Sequence, residues 1–403
     1  MIMPSEAWRL IASETEVLGT RRLPLAESLD YILAEDVCAD RDNPACNRSA
    51  MDGYALLFSD TESLPVRLSV VDEVPAGSAK EPQIQPGECV RIFTGASVPK
   101  DADTVIMQEH VETLSKSEIM ISEAVKQGQH ILRRGENAVK GEILVPAGTK
   151  LNAAHISICA SVGCDYPVVY EKPKVSILTT GAELKDAGEE AADHEIRDSN
   201  GPMLAAILEK NRFRHSAATV LDELDKVAGA ISLALETSDV LLVTGGVSVG
   251  KYDLVEEAAI RAGGRTVYHG VKIKPGKPQL FAVFDNGKYL FGLPGNPLSS
   301  LVGMHEFALP ALWLLAGLPE KACRPLSRLR SISELHSKGK RIKMLLARYV
   351  SQDDELCVEV VPCSGSADLV AAGKADGVII MPEGARQLTS GQMVEFRPWG
   401  GLA

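Results

Sequence analysis

Three short apolar runs in the middle of the chain each end in small or turn-forming residues. Each run is too short for a typical helix and rich in β-branched or aromatic residues, so it predicts a buried strand. A strand followed by a glycine loop presents backbone N–H groups to an anion. If the strands are parallel, the three loops share the carboxyl edge of one sheet, where open α/β sheets bind ligands. The runs are residues 175–178, 240–243 and 289–292, ending in Thr180-Gly181, Gly245-Gly246 and Pro294-Gly295-Asn296.

Strand and helix patterns alternate through the whole region between residues 173 and 323. This alternation indicates a doubly wound α/β domain. The apolar segment 298–315 is interrupted by His305, Glu306 and Pro310, so it predicts a buried or interface helix rather than a membrane span. The other helices are predicted at 202–208, 226–235 and 254–262, and the other strands at 216–220, 266–271 and 279–284.

The flanking regions have different patterns. Apolar residues at helical spacing predict two short helices between residues 4 and 37. Short strands with frequent glycine and proline follow, as in a small barrel or sandwich. A helix and a short strand between residues 150 and 171 could pack on the N-terminal helices, which would make the β-rich region an insertion. Residues 324–403 predict a small β domain with one helical piece near 368–375.

The predicted fold class is therefore a multidomain α/β protein. A central doubly wound α/β domain is combined with a β-rich inserted domain, a small helical N-terminal segment and a C-terminal β domain. The predicted domains are residues 1–42 with 142–172, 43–141, 173–323 and 324–403.

The composition of the chain limits the classes of function that it can have. The 403 residues are 45% hydrophobic, which supports a sizeable core. The formal net charge of −12 argues against a nucleic-acid binder that neutralises phosphates. The eight cysteines form no CxxC pair, and scattered cysteines suit a reducing compartment. No basic stretch leads into an apolar run at the N-terminus, so no secretory signal is predicted and the cytoplasm is expected.

A short loop concentrates positive charge beside the predicted glycine loops. Lys272, Lys274 and Lys277 lie between residues 271 and 279, and prolines stiffen this stretch. In an acidic protein this arrangement predicts a pocket for an anion, although lysines also protect exposed sheet edges. Asn296 and Ser299 stand at the start of a predicted helix, where they could cap it or offer its N-terminus to a phosphate.

Carboxylates recur at loop positions near this predicted pocket. Several carboxylates beside a phosphate site suggest Mg²⁺, whereas each acid by itself is typical of a cap or a turn. The dispersed histidines form no HExxH motif and no Ser/His/Asp triad is legible, so a histidine-held metal is not expected. The acids are Asp52, Asp101, Asp103, Glu109, Glu136, Glu183, Asp198, Asp222 and Asp253.

Eight motifs occur in one order along the chain: SAMDGYA, TGASVPKDADTVIMQE, RRGENAVKGE, TTGAEL, RDSN, TGGVSVGKYD, IKPGKP and GLPGNP. In this order they resemble the molybdopterin molybdenumtransferase family, and the chain is also similar to the C-terminal domain of gephyrin. The resemblance extends over essentially the whole length. It implies an enzyme of molybdenum cofactor biosynthesis that inserts molybdate into adenylylated molybdopterin, depends on Mg²⁺ and releases AMP.

The resemblance also implies an elongated homodimer with four subdomains in each subunit. Its active site would lie in a cleft between the α/β domain of one subunit and the β-rich domain of the other. Molybdopterin adenylyltransferase and molybdoenzyme maturation proteins are candidate partners, and neither nucleic acid nor membrane is expected. Tungsten in place of molybdenum stays open.

Site residues carry over from the family motifs position by position. The catalytic residues implied are Asp52, Thr94, Glu183, Asp222, Asp253, Lys274 and Lys277. Of these, the implied Mg²⁺ ligands are Asp52, Glu183 and Asp253. The cofactor-binding residues implied are Thr180, Gly181, Ser199, Asn200, Gly245, Gly246, Ser248, Gly250, Pro275, Gly276, Pro294, Gly295, Asn296, Arg348 and Ser366.

Three positions depart from the family pattern by losing negative charge. Ala182, Asn137 and Lys251 each stand where an acid is common. These losses leave open a paralogue that binds the cofactor without turnover or that inserts tungstate. A gephyrin-like scaffold is a further alternative. An adenylyltransferase or nucleotide-amide hydrolase of related α/β fold is disfavoured by the SAMDGYA motif and by the C-terminal β domain, which those proteins lack.

Overall fold

The computed structural model describes residues 1–247, 254–336, 341–385 and 387–400. The chain divides into two compact units. The first unit contains Met1–Glu35, Gly148–Asn152 and Val168–Ala403, and the second contains Asp36–Ala147 and Ala153–Pro167. The first unit therefore holds the α/β and C-terminal regions, and the second holds the β-rich region. The predicted division into four domains stays a prediction.

The N-terminal segment forms one helix rather than the two that were predicted. Helix α1 (Pro4–Glu14) has proline in its first turn, where no N–H is needed. The second predicted helix is wrong, because residues 25–33 form only a 3₁₀ turn, Leu25–Glu27. Asp30 then takes a positive φ of 65°, which interrupts any helix. Ile32 and Leu33 each form a single β-bridge, and both side chains are buried. The helical spacing of these apolar residues therefore reflects their burial and not a helix. Strand β1 (Thr20–Arg22) lies between α1 and the 3₁₀ turn.

The second unit is built on a six-stranded sheet with the order β7-β4-β6-β5-β9-β8. The β-rich prediction is confirmed, and helix α2 (Ala153–Ser161) follows the strands as expected. The strands of this unit are β2 (Val37–Cys38), β3 (Arg48–Ser49), β4 (Gly53–Leu56), β5 (Val66–Val74), β6 (Glu88–Ile92), β7 (Thr104–Met107), β8 (Glu112–Ser115), β9 (Glu118–Ile121), β10 (Ile131–Leu132) and β11 (Ile143–Val145). Strand β12 (Val168–Tyr170) returns to the first unit and pairs with β1.

The α/β region has a six-stranded sheet with helices on both faces. Its strands are β13 (Val175–Thr180), β16 (His215–Val220), β17 (Val240–Thr244), β18 (Gly264–His269), β20 (Leu280–Phe284) and β21 (Lys288–Leu293), with the short β14 (Leu184–Lys185), β15 (Ile196–Arg197) and β19 (Ile273–Lys274) in the loops. Its first helices are α3 (Asn200–Lys210), α4 (Leu224–Thr237) and α5 (Val255–Arg261).

The sheet order is β16-β13-β17-β21-β20-β18. Strands β13, β17 and β21 are adjacent and parallel, which confirms the prediction. Thr179 pairs with Thr244, and Thr244 pairs with Leu293, so these strands end at the same level. Both faces of these strands are buried, which explains their continuous apolar runs. Strand β20 alone runs against the others.

One long helical segment follows the sheet, as predicted. It consists of α6 (Pro297–Gly303), a π-helical turn (Met304–Ala308) and α7 (Leu309–Leu315). Its length and composition would allow a membrane span, but 78% of its apolar window is buried inside the protein. The segment is therefore a core helix of the α/β region.

His305 in this segment predicts a loss of stability in acid. Burial, together with the charge of Lys210, lowers the pKa of His305 from 6.5 to about 3. Between these two pKa values, His305 is protonated in the unfolded chain but not in the folded chain. The free energy of unfolding therefore decreases as the pH falls below 6.5. Since His305 is partly accessible, we expect the wild type to lose about 2 kcal/mol more than His305→Phe between about pH 7 and about pH 4.

Denaturant midpoints at the two pH values measure this difference. The exposed His194 provides the control, because His194→Gln should keep the wild-type pH dependence. Parallel pH curves for the wild type and His305→Phe would contradict the prediction.

The C-terminal region forms a small closed barrel. Strand β24 pairs with both β25 and β26, which closes the ring β24-β25-β22-β28-β26. Strand β19 of the α/β region adds to β24 in parallel. The elements are α8 (Glu320–Cys323), β22 (Ser327–Ser331), β23 (Leu335–His336), β24 (Ile342–Gln352), β25 (Glu355–Val360), α9 (Leu369–Ala372), β26 (Gly377–Met381), β27 (Gln387–Leu388) and β28 (Met393–Pro398). The predicted β domain with one helical piece is thereby confirmed.

Candidate functional site

The loops after β13, β17 and β21 surround one cavity of about 640 Å³, which we call the glycine-loop cavity. The strands position these loops, because all three end at the same edge of the sheet. Ten of the predicted site residues line the cavity: Thr180, Glu183, Ser199, Asn200, Asp222, Gly245, Gly246, Pro294, Gly295 and Asn296. Residues that the sequence had not singled out as site residues also line it, among them Thr244 and Arg197.

Glycine is required at position 245 for two reasons. Its φ of +95° lies in the left-handed region that side chains rarely adopt. A Cβ atom there would also collide with the carbonyl oxygen of Thr180. The two neighbouring loops therefore approach each other closely at this point, and the backbone of Gly245 faces the cavity.

Two buried polar atoms are left available at the cavity wall. Thr180 Oγ1 and Asn200 Oδ1 have no hydrogen-bond partner within the part of the chain that the structure describes. An unpaired buried oxygen is costly, so each atom favours a ligand that brings a donor or a cation.

The amide of Asn200 joins two of the loops. Its Nδ2 donates to Thr244 Oγ1 and to the carbonyl of Gly295, both at 2.8 Å. Asn200 begins α3, and Asp198 before it accepts from the N–H groups of Asn200 and Gly201 at 2.9 and 3.0 Å. Asp198 therefore caps the helix and fixes Asn200, which in turn fixes the spacing of the loops.

A second cavity of about 640 Å³ is lined by two of the three predicted lysines, Lys274 and Lys277, and we call it the lysine cavity. The expectation that Lys272 shares this pocket is wrong, because Lys272 does not line it. It shares Pro278 and Asn296 with the glycine-loop cavity, so the two are adjacent. The predicted residues in it are Lys274, Pro275, Gly276, Lys277, Asn296 and Ser366.

Two further cations line the lysine cavity that sequence reasoning missed. Lys343 pairs directly with Lys274 across β19 and β24, and Arg341 precedes it. Arg341 Nη1 donates to the carbonyl of Ile273 at 3.2 Å, which holds the start of the barrel against β19. Only the pairing of two distant strands brings these charges together, so no local sequence signal could have found them.

Of the two alternatives open for Asn296 and Ser299, the structure contradicts the side-chain cap of α6. Asn296 occupies the position before the helix, but its side chain makes no capping hydrogen bond. Ser299 lies buried within the first turn. The N–H of Leu298 instead donates to the carbonyl of Ser366 in the C-terminal region, at 3.1 Å. A long-range contact has replaced the local cap, and it places Ser366 beside the lysine cavity.

In the second unit, the structure brings Asp52 and Thr94 together. Asp52 Oδ1 accepts from both the backbone N–H and the hydroxyl of Thr94 at 2.8 Å. These two hydrogen bonds, first from the backbone and then from the hydroxyl, lower the pKa of Asp52 below 3.8. Asp52 is therefore a carboxylate at neutral pH, as a metal or cation ligand requires.

Other predicted positions lie elsewhere. Arg348 lines neither cavity, because its Nε and Nη2 both bind Glu359 Oε2, at 2.9 and 2.6 Å. Gly181 follows Thr180 at the margin of the glycine-loop cavity. Ser248, Gly250, Lys251 and Asp253 lie outside the described residues. The roles proposed for these residues stay predictions.

Two of the charge-losing positions are described. Asn137 lines a cavity of about 270 Å³ in the second unit, beside Asp40, Arg41 and Arg48. Ala182 is exposed next to Glu183.

Two carboxylates of the glycine-loop cavity have the chemistry of cation ligands. Within the described ranges, no group of three or more His, Cys, Asp or Glu residues could hold a metal. Glu183 and Asp222 nevertheless line the glycine-loop cavity. Mg²⁺ commonly uses one or two carboxylates together with phosphate oxygens, and these residues fit that kind of site.

Three family models match the chain in succession. They are the MoeA N-terminal region (domain I and II) at residues 2–163, a probable molybdopterin binding domain at 176–313, and the MoeA C-terminal region (domain IV) at 328–399. A molybdopterin molybdenumtransferase of Bacillus subtilis is 32% identical over 400 residues, covering 97% of this chain and 92% of the relative. The chain belongs to the MoeA family.

Further MoeA family relatives agree with this assignment. A molybdopterin molybdenumtransferase of a Nostoc species is 34% identical over 373 residues, covering 90% of this chain and 85% of the relative. The solved structure of a molybdopterin biosynthesis moeA protein from Pyrococcus horikoshii has a TM-score of 0.84 and 26% identity, covering 99% of this chain and all of the other. The MoeA family is one of metal-inserting transferases in molybdenum cofactor biosynthesis, which confirms the predicted family and fold class.

In this MoeA family member, we expect Asn200→Asp to destabilise the loops around the glycine-loop cavity and to weaken ligand binding there. The substitution removes the Nδ2 donor and places an anion against the Gly295 carbonyl. Losing two buried hydrogen bonds should lower the free energy of unfolding by about 1–3 kcal/mol and reduce AMP binding at least tenfold, by rough estimate. Thermal unfolding and calorimetric titration with AMP measure both effects.

Asn211→Asp provides the matched control. Asn211 Nδ2 donates to the carbonyl of Ile207 at the end of α3, outside both cavities. It should affect stability alone. Equal AMP binding by wild type and Asn200→Asp would contradict the role of Asn200.

Proposed function

We propose that this protein inserts molybdate into adenylylated molybdopterin and releases AMP. The observation that carries the proposal is the adjacency of two cavities of different chemistry. The glycine-loop cavity presents backbone and neutral polar groups, whereas the lysine cavity presents cations, and they share Pro278 and Asn296. A substrate with a phosphoanhydride and an oxyanion co-substrate need two such neighbouring sites.

Each cavity has its own task in this proposal. The loops at Thr180, Gly245 and Gly295 hold the pterin and the phosphates of the adenylylated substrate through close backbone approach. Lys274 and Lys277 hold molybdate through charge-assisted hydrogen bonds. Holding both substrates side by side makes the insertion effectively intramolecular. The dithiolene of the pterin supplies the soft sulfur ligands, so no cysteine of the chain is needed.

Mg²⁺ belongs to the proposal as the partner of the phosphates. Bound there, it would offset negative charge and polarise the scissile anhydride bond. Glu183 would hold it from the glycine-loop cavity, with Asp52 and Asp253 as the further ligands that the family resemblance implies. The exposed carboxylate of Glu183 and the ionised carboxylate of Asp52 have the chemistry for this role.

We also propose a homodimer that acts in the cytoplasm. The resemblance implies that Asp52 and Thr94 of one subunit serve the glycine-loop cavity of the other. The family membership supports a soluble enzyme, and the apolar helical segment that is long enough for a membrane span within the described residues is mostly buried. Molybdopterin adenylyltransferase and molybdoenzyme maturation proteins are the partners proposed upstream and downstream. Light scattering on the purified protein tests the dimer.

One assay tests the activity. The purified protein receives adenylylated molybdopterin, molybdate and Mg²⁺, and AMP release is followed together with metal-loaded cofactor. We expect both products, and both should vanish when Mg²⁺ is chelated. Absence of substrate binding would overturn the proposal.

A catalytically altered paralogue is the second candidate, because three positions have lost negative charge. Tight binding of adenylylated molybdopterin without AMP release would favour it. Replacing Asn137 and Lys251 with aspartate should then restore turnover. Tungstate in place of molybdate in the same assay distinguishes the two metals.

A further inference from the structure

His269 lies at the end of β18 and reaches the loop that lines the glycine-loop cavity. Its Nε2 is 2.8 Å from the carbonyl oxygen of Val247, and its Nδ1 is 2.6 Å from Glu256 Oε2 on α5. The imidazole is 18% exposed, so water competes little for either ring nitrogen. Neither residue was among the site residues expected from the sequence.

Both atoms that face the imidazole are acceptors. A backbone carbonyl only accepts hydrogen bonds, and an ionised carboxylate only accepts them too. A neutral imidazole has a single N–H and can satisfy one of the two. The hydrogen bond to the Val247 carbonyl therefore requires the proton on Nε2.

The loop that His269 contacts begins with two glycines. Gly245 and Gly246 both have positive φ values, of 95° and 57°, and glycine restricts the backbone least. Within the described residues, two hydrogen bonds hold the loop backbone from the α5 side: the N–H of Val255 donates to the carbonyl of Gly246 at 3.2 Å, and His269 binds the carbonyl of Val247. The Val247 side chain packs in the apolar core at 3% exposure, and the residue lines the cavity, so His269 acts on the backbone of a residue whose side chain is already anchored.

We propose that His269, supported by Glu256, is a positioning residue that fixes the glycine loop 245–247 for its ligand. The ligand and the reaction rest on the function proposed above, whereas the loop restraint does not. Loss of the contact between Nε2 and the Val247 carbonyl loosens the loop and weakens ligand binding.

Within the described residues, the charged groups near the His269 imidazole are Glu256 and the members of two ion pairs. Glu256 is the carboxylate that α5 presents to it. Glu257 on the same helix binds Arg261, and Arg265 on β18 binds Glu14. The neighbouring strand β20 places Leu280 opposite His269.

Two conservative substitutions separate the two ring nitrogens. Glutamine places its amide nitrogen where Nε2 lies, so His269→Gln keeps a donor to Val247 at every pH. Asparagine places its amide nitrogen nearer Nδ1, so His269→Asn keeps the neighbourhood of Glu256 and loses the loop contact. A merely structural role would treat the two variants alike.

Hydrogen–deuterium exchange of peptides that contain residues 244–247, in the protein without ligand, tests the restraint directly. We expect faster exchange in His269→Asn than in the wild type and recovery in His269→Gln. Calorimetric titration with AMP should give about tenfold weaker binding for His269→Asn and near wild-type binding for His269→Gln.

Unchanged loop exchange in His269→Asn would overturn the proposal, as would equally fast loop exchange in His269→Asn and His269→Gln. If the loop responds as expected but AMP binds to no variant, the positioning role stands and the proposed function fails. The two failures are thereby distinguishable.

Discussion

Replacing both Lys274 and Lys277 with alanine is expected to weaken molybdate binding about 100-fold to 10,000-fold. Each charge-assisted hydrogen bond to an oxyanion contributes roughly 1.5–3 kcal/mol, and two are lost. Both side chains are exposed and line the lysine cavity, so the thermal stability should not change. Calorimetric titration with molybdate measures the affinity, and thermal unfolding checks the fold.

Lys272 provides a matched control in the same stretch. It precedes Lys274 by two residues but does not line the lysine cavity. Lys272→Ala should therefore bind molybdate as the wild type does. Equal losses for the control and for the double variant would mean that net charge, rather than the cavity, attracts the anion.

Replacing Glu306 with glutamine is expected to lower the free energy of unfolding by about 3–5 kcal/mol. Glu306 is fully buried, with Oε2 2.9 Å from Arg324 Nη2 and Oε1 2.7 Å from Arg397 Nε. Burial lowers the pKa of Arg397, while the charge of Glu306 opposes that shift. Removing this charge leaves two buried guanidinium groups without compensation. Thermal unfolding should begin roughly 10 °C lower.

Glu355→Gln is the control for this prediction. Glu355 pairs with Arg330 at 3.2 Å, but both side chains are about half exposed or more. Exposed pairs contribute about 0–1 kcal/mol, so this variant should unfold like the wild type. A comparable shift in both variants would show that Glu306 stabilises the protein through something other than buried charge pairing.

The contacts of Glu306 also connect three parts of the first unit. Glu306 lies in the π-helical turn of the α/β region, Arg324 follows α8, and Arg397 belongs to β28 of the barrel. The lysine cavity is lined from both the α/β region and the barrel. Glu306→Gln should therefore also weaken molybdate binding indirectly, although it lines neither cavity.

The sequence alone determined the α/β sheet and the loops at its edge. Strands buried on both faces read as continuous apolar runs, and glycine marks the positions where positive φ and close backbone approach are needed. Both signals are local, so they are visible without the fold. The order of the motifs likewise identified the family from the sequence alone, because it preserves the spacing of many loops at once.

Other features depended on contacts between distant residues. The periodic apolar residues at 25–33 predicted a helix, but a positive φ at Asp30 and single bridges decided otherwise. Periodicity records which residues are buried, and several backbone paths can bury the same residues. Arg348 lies on the barrel, where it pairs with Glu359, and this cross-strand contact was not visible in the sequence.

The candidate site shows the same division. Its glycine loops and the lysines Lys274 and Lys277 could be predicted from the sequence, since each motif lies within a few residues. Arg341 and Lys343 joined the lysine cavity through the pairing of β19 with β24, and His269 reached the glycine loop across the chain from β18. Which side chains meet at these points depends on strand register and helix packing, and only the tertiary structure fixes both.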